Sequence, residues 1–199
     1  MTPVTNKACA EIIESSLTDW LAQSWYWNNF PSFGSLITIE TKKRILFGIV
    51  HHIQTGSMDP GRYPFPYQKT HEELLAEQPQ IFEFLKTTFS CLALGYQEKG
   101  KIYYQWPAEP PLIHSFVSPA ADDLARQFFS SEAYLAVLFG HAGKINNIDE
   151  LLLAQLKNQK IAGTLSNDKL SKIIQNYALL TCNDYRRLKL FAQRLDILV

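Results

Sequence analysis

The sequence predicts an α+β chain: a small, mainly antiparallel β-barrel with an N-terminal helix and a helical insertion, followed by an all-α C-terminal helical domain. Three observations lead there. The run Phe47-Gly48-Ile49-Val50-His51-His52-Ile53-Gln54 is apolar and β-branched and leads into Thr55-Gly56-Ser57, the pattern of a buried strand ending in a turn. Further strands end in Leu94-Gly95-Tyr96 and Phe116-Val117. All ten prolines lie at or before Pro119, and eighteen of the twenty-five aromatic residues precede position 120. Beyond that point the chain turns rich in Leu, Ala and Lys, which favour helix. A boundary at Ser118-Pro119 follows, dividing the chain into 1–30, 31–118 and 119–199.

Taken in order, residues Thr5 to Trp25 space Ala8, Ile12, Ile13, Leu17, Trp20, Leu21 and Trp25 at threes and fours, predicting an amphipathic helix whose tryptophans dock it onto the fold. Asn28-Asn29-Phe30-Pro31 stops it. Strands are expected over Gly34–Thr41 and Arg44–Gln54, separated by Thr41-Lys42-Lys43. Residues 55–67 hold too much Pro and Gly for helix or central strand and form an extended loop. Thr70, with Glu73 three residues on, opens a short helix at capping-box spacing. Pro79 starts another, with Ile81, Phe82, Leu85 and Phe89 on one face. Strands Ser90–Gln97, Lys101–Trp106 and Leu112–Val117 complete this part. Ser118 then acts as N-cap and Pro119 as first residue of a helix whose start carries Asp122 and Asp123. Five helices near 119–129, 131–139, 148–159, 167–181 and 183–197 are punctuated by Gly140, Gly143 and Gly163.

Composition narrows the function. At 199 residues, 46% hydrophobic and 19% charged, the chain can bury a proper core. Its formal net charge of zero argues against non-specific binding to nucleic acid or anionic membrane. Cys9, Cys91 and Cys182 lack paired spacing, so neither disulfide framework nor zinc site is expected. With neither a signal-peptide pattern nor a membrane-length apolar run, a cytoplasmic location is expected.

Motifs of catalysis fail on their chemistry. Gly95-Tyr96-Gln97-Glu98-Lys99-Gly100-Lys101 has the glycine and lysine spacing of a phosphate-binding loop, but Ile102 stands where a magnesium-holding hydroxyl belongs. A hairpin turn accounts for it. Gly140-His141-Ala142-Gly143-Lys144 fails likewise and reads as a helix stop. His51 and His52 are strand neighbours that face opposite ways, so one packed and one solvated histidine is expected rather than a metal site. No nucleophile elbow is present, and neither an enzyme nor a cofactor is expected.

Gly34-Ser35-Leu36-Ile37-Thr38-Ile39 followed by Phe47-Gly48-Ile49-Val50 resembles the paired opening strands of the HAS barrel. That barrel begins HerA-type DNA-translocating ATPases and ATP synthase catalytic-ring subunits. Leu94-Gly95-Tyr96, Pro107-Ala108-Glu109-Pro110-Pro111 and Phe116-Val117-Ser118-Pro119 resemble its closing part. The resemblance spans residues 33–119 and implies a docking module, here followed by helices instead of a RecA-like motor. The insertion from Thr70 to Phe89 is longer than the simplest such barrels require.

The expected role is a non-catalytic adaptor or assembly protein that meets a protein partner, or a second copy of itself, through the barrel. Arg62, Tyr63, Phe65 and Tyr67 in the Pro-rich loop are the candidate contacts, since Arg and aromatic residues dominate interface hot spots. The competing structural role for these aromatics is to fold back and cap the barrel. The basic residues Arg186, Arg187, Lys189 and Arg194 read as a solvated helix face. Binding of single-stranded nucleic acid by Tyr103, Tyr104, Trp106 and Lys42-Lys43-Arg44 is the alternative function.

Overall fold

A computed structural model describes residues 8–59, 61 and 63–198. Among the described residues seven strands occur: β1 (Ala10–Ser15), β2 (Asp19–Ser24), β3 (Leu36–Glu40), β4 (Ile45–Ser57), β5 (Leu85–Glu98), β6 (Lys101–Tyr103) and β7 (Phe116–Pro119). They run in the order β2-β1-β7-β3-β4-β5-β6, and β2 also pairs with β5. Six strands thereby close into an antiparallel barrel with β6 outside the ring. The length of β5 makes this work: its Thr88–Leu92 stretch pairs with β2, and its Tyr96–Glu98 stretch pairs with β6.

The N-terminal helix expected over residues 5–25 is not what residues 8–25 form; 5–7 lie outside the described residues. They form the β1–β2 hairpin. The turn is fixed by Ser16, whose Oγ accepts from the backbone N–H groups of Thr18 and Asp19 and donates to Asp19 Oδ1. Strand β2 alternates strictly, with Trp20, Ala22 and Ser24 buried and their neighbours half-buried. That period of two competes with the helical spacing, and burial in the barrel decides between them. Trp20 lies wholly inside, while Trp25 stays exposed.

Inside the barrel, Ile12, Trp20, Ile37, Leu46, Phe89 and Val117 belong to one apolar cluster. Intervening residues Phe47, Ile49, Leu92 and Leu94 join a second cluster with the helices, including Phe128, Leu135, Leu151 and Tyr177. Strands β4 and β5 are covered on both faces, which is why their central segments are continuously apolar. Gly48 makes room for the largest lumen side chain: a Cβ there would stand 2.7 Å from the Trp20 ring. The phosphate-loop look-alike is a tight hairpin. Lys99 and Gly100 both take positive φ, 49° and 77°, between β5 and β6, the signature of a type I′ turn.

Among the described residues six α-helices accompany the barrel: α1 (His71–Glu77), α2 (Asp122–Phe128), α3 (Tyr134–Gly140), α4 (Ile148–Ile161), α5 (Asn167–Leu180) and α6 (Tyr185–Leu198). The capping box on α1 forms as expected, Thr70 and Glu73 each bonding the other's backbone N–H. The helix expected from Pro79 is a short 3₁₀ segment ending at Phe84, and Phe89 belongs to β5 inside the barrel. Ser118 and Pro119 are not helix-start residues. They pair with Thr38 and Ile37 at the end of β7, and α2 begins at Asp122. Asn147 and Ser166 cap α4 and α5 through their side chains.

The helices pack directly on the barrel wall. Gly34, at φ +77°, lies so close to α4 that a Cβ would meet Gln155 N at 2.7 Å. Asn158 Nδ2 donates to the Phe33 carbonyl at 3.2 Å. His141, buried just after α3, bonds the Ala93 carbonyl of β5 through Nε2 at 3.0 Å. Among the described residues, no helix is long and apolar enough to cross a membrane.

Candidate functional site

Strands β4 and β5 continue past the barrel as a two-stranded ribbon, pairing Thr55 with Thr87 and Ser57 with Leu85. Residues 58–84, carrying the loop and α1, hang from its end. Thr87 Oγ1 holds the ribbon to the 25–30 turn by donating to the Trp27 carbonyl. Trp27 in turn stacks on Phe82 at 5.4 Å and meets His71 edge-on at 5.7 Å. This cluster anchors the insertion through its own aromatic residues, leaving the loop beyond it uncovered.

Of the four loop candidates, Arg62 lies outside the described residues. Tyr63 is 92% exposed and Phe65 68% exposed, while Tyr67 sits edge-on to Phe65 at 5.5 Å. Tyr63 and Phe65 are too exposed to cap the barrel. Met58, Leu75 and Phe84 are also exposed on the same insertion.

The basic residues of α6 are partly neutralised. Arg187 holds Asp149 bidentately, at 2.7 and 3.0 Å, and Arg194 reaches Glu150 at 2.6 Å. Both carboxylates also sit in the first turn of α4, where the helix dipole favours them. The group therefore ties α6 to α4, whereas Arg186 and Lys189 remain exposed.

Around the β5–β6 hairpin, Arg44 lies over the Tyr96 ring at 5.1 Å, Tyr96 stacks on Tyr103 at 5.1 Å, and Lys101 lies over Tyr103 at 5.2 Å. The stack is half-buried. Tyr104 turns the other way and donates its hydroxyl to the Phe128 carbonyl. The residues weighed for nucleic acid are thus divided between two faces.

Two crevices escaped sequence reasoning. One, of about 380 Å³, includes Ser16, Asp19, His51, Ser90 and Lys144. Lys144 bonds Asp19 across it, holding that carboxyl below its usual range. His51 is half-buried there and pushed down chiefly by desolvation, while His52 is exposed after a bulge in β4. The second, of about 150 Å³, lies between the barrel rim, α2 and α4 and is bordered by residues that include Gln155 and Gln159, whose amides are buried. Among the described residues, no group of three or more His, Cys, Asp or Glu side chains could hold a metal ion. No protein-family model matches the chain, and no curated protein matches its sequence.

Proposed function

We propose that this chain is a non-catalytic adaptor or assembly protein that uses a HAS-like barrel to dock on a protein partner, with Tyr63, Phe65 and Tyr67 as contacts. The observation that carries the reading is the bareness of Tyr63 and Phe65 at the end of a ribbon whose base is pinned by Trp27 and Phe82. An aromatic loop held from behind loses little freedom when it meets a partner, and two-torsion rings give large contact area at low entropic cost. The closed barrel supports the HAS-like part of the proposal, and the helices packed on its wall supply a second rigid surface.

A photo-crosslinking phenylalanine analogue at position 65, in the full chain in its native cells, tests this. The expected product is a discrete adduct with one protein, whose affinity for the purified chain falls at least about tenfold in the Tyr63→Ser, Phe65→Ser variant. Adduct formation no stronger than at an exposed site on α6 refutes the proposal.

The nucleic-acid alternative is supported by the Arg44–Tyr96–Tyr103–Lys101 stack. It predicts binding of single-stranded oligonucleotides that weakens steeply between low and physiological salt.

A further inference from the structure

The formal net charge of zero conceals a separation of charge along the barrel. Residues 58–84, the insertion, hold five Asp or Glu against two Lys or Arg. Its α1 and 3₁₀ segments expose Glu72, Glu73, Glu77 and Glu83. At the other end of β4, the β3–β4 and β5–β6 turns lie side by side and gather Lys42, Lys43, Arg44, Lys99 and Lys101. Only Glu40 and Glu98 accompany them on these two hairpin ends. Arg44 reaches Glu98 at 4.0 Å, whereas Lys42, Lys43 and Lys99 make no ion pair among the described residues.

The β3–β4 turn also borders a crevice of about 370 Å³, together with Glu109, Pro110 and Leu112. Its size falls among those of pockets that take small ligands, roughly 300–1,000 Å³, enough to admit an aromatic side chain. Pro110 is exposed and Leu112 is 78% exposed, so the apolar border faces outward. An apolar recess rimmed by unpaired ammonium groups suits an aromatic segment flanked by carboxylates. The insertion has that composition, with Tyr63 and Phe65 bare beside its acidic residues.

The thirteen residues of β4 separate the two surfaces, an extended length of roughly 40 Å. That distance keeps a molecule from filling its own crevice. We infer that a second copy of this chain fills it, the aromatic insertion of one molecule seating in the basic crevice of the next, an inference that rests on reading Tyr63 and Phe65 as docking residues and names their partner. The two surfaces differ, so the contact is heterologous, and its repetition builds a ring or a filament.

Sedimentation of the purified full chain over a concentration series, at low and at high salt, tests this. The mass is expected to rise above the monomer with concentration and to fall back as salt screens the ammonium–carboxylate contacts. Two surface variants separate the halves of the contact. Tyr63→Ser with Phe65→Ser removes the inserted rings, and Lys42→Glu with Lys43→Glu reverses the charge of the crevice. Each should weaken self-association at least about tenfold. Mixed in equal amounts, they should form a dimer and nothing larger, since one keeps an intact crevice and the other an intact insertion. A monomer at every concentration and salt, undiminished association in either variant, or a mixture that stays monomeric would each overturn the inference. A monomeric unaltered chain whose position-65 crosslink captures a different protein would overturn it too, while leaving the docking reading standing. The salt series needs only the unaltered chain, so it decides even if a variant fails to fold.

Discussion

Leu46 and Phe47 are neighbours on β4 that face two different interiors. Leu46 looks into a lumen filled by apolar side chains from all six ring strands, where burial drives the Cys91 thiol far above its normal pKa. Phe47 looks out into a layer shared with the helices, and that layer contains His141, Gln155 and Gln159. The ring closes on itself and can be dry. The outer layer joins a sheet to helices, and its buried His141 is matched to the Ala93 backbone carbonyl.

The sharpest way to break the lumen is Trp20→Ala. The ring is fully buried and fits against Gly48, so its removal should cost about 3–5 kcal/mol in chemical denaturation. Gly34→Ala attacks the joint between the two interiors. It forces a side chain into positive φ and against α4 backbone, and a loss of about 1–3 kcal/mol is expected.

Acid separates the layers more gently. Burial lowers the pKa of His141 in the outer layer, while desolvation does the same for half-buried His51. With folded values below unfolded ones, the unfolded chain takes up protons first as pH falls. Stability is complete above about pH 6.5 and declines through the window beneath it. The thermal midpoint should therefore fall on acidification, and His141→Gln should flatten that dependence. Least disturbing is Tyr63→Ser with Phe65→Ser, which leaves both interiors intact and should change stability by no more than about 0.5 kcal/mol.

Long apolar strands and capped helices were legible in the sequence because one signal dominated each. β4, the Lys99-Gly100 turn, the Thr70 cap and α4 to α6 fall close to where their patterns put them. The first hairpin was not legible, because residues 8–25 satisfy helical and strand spacing at once and only the neighbours β5 and β7 decide. Phe89 fits a helical face by spacing for the same reason: its strand role exists only opposite Ile53 and Ala22. The loop aromatics were visible by composition alone. Gln155 and Gln159 gave no signal, since an i, i+4 glutamine pair on a helix looks like ordinary surface until the barrel rim covers it.

Strand β7 has four residues, yet it bridges β1 and β3, and α2 begins three positions after it. Beside β1 the register joins only Ala10 to Val117 and Glu11 to Phe116. Backbone bonds from Cys9, Ile12, His114 and Ala120 extend the attachment beyond that register, and tension applied through the C-terminal helices passes along the backbone into this keystone. A pull on the helices would therefore load the ring first at β7.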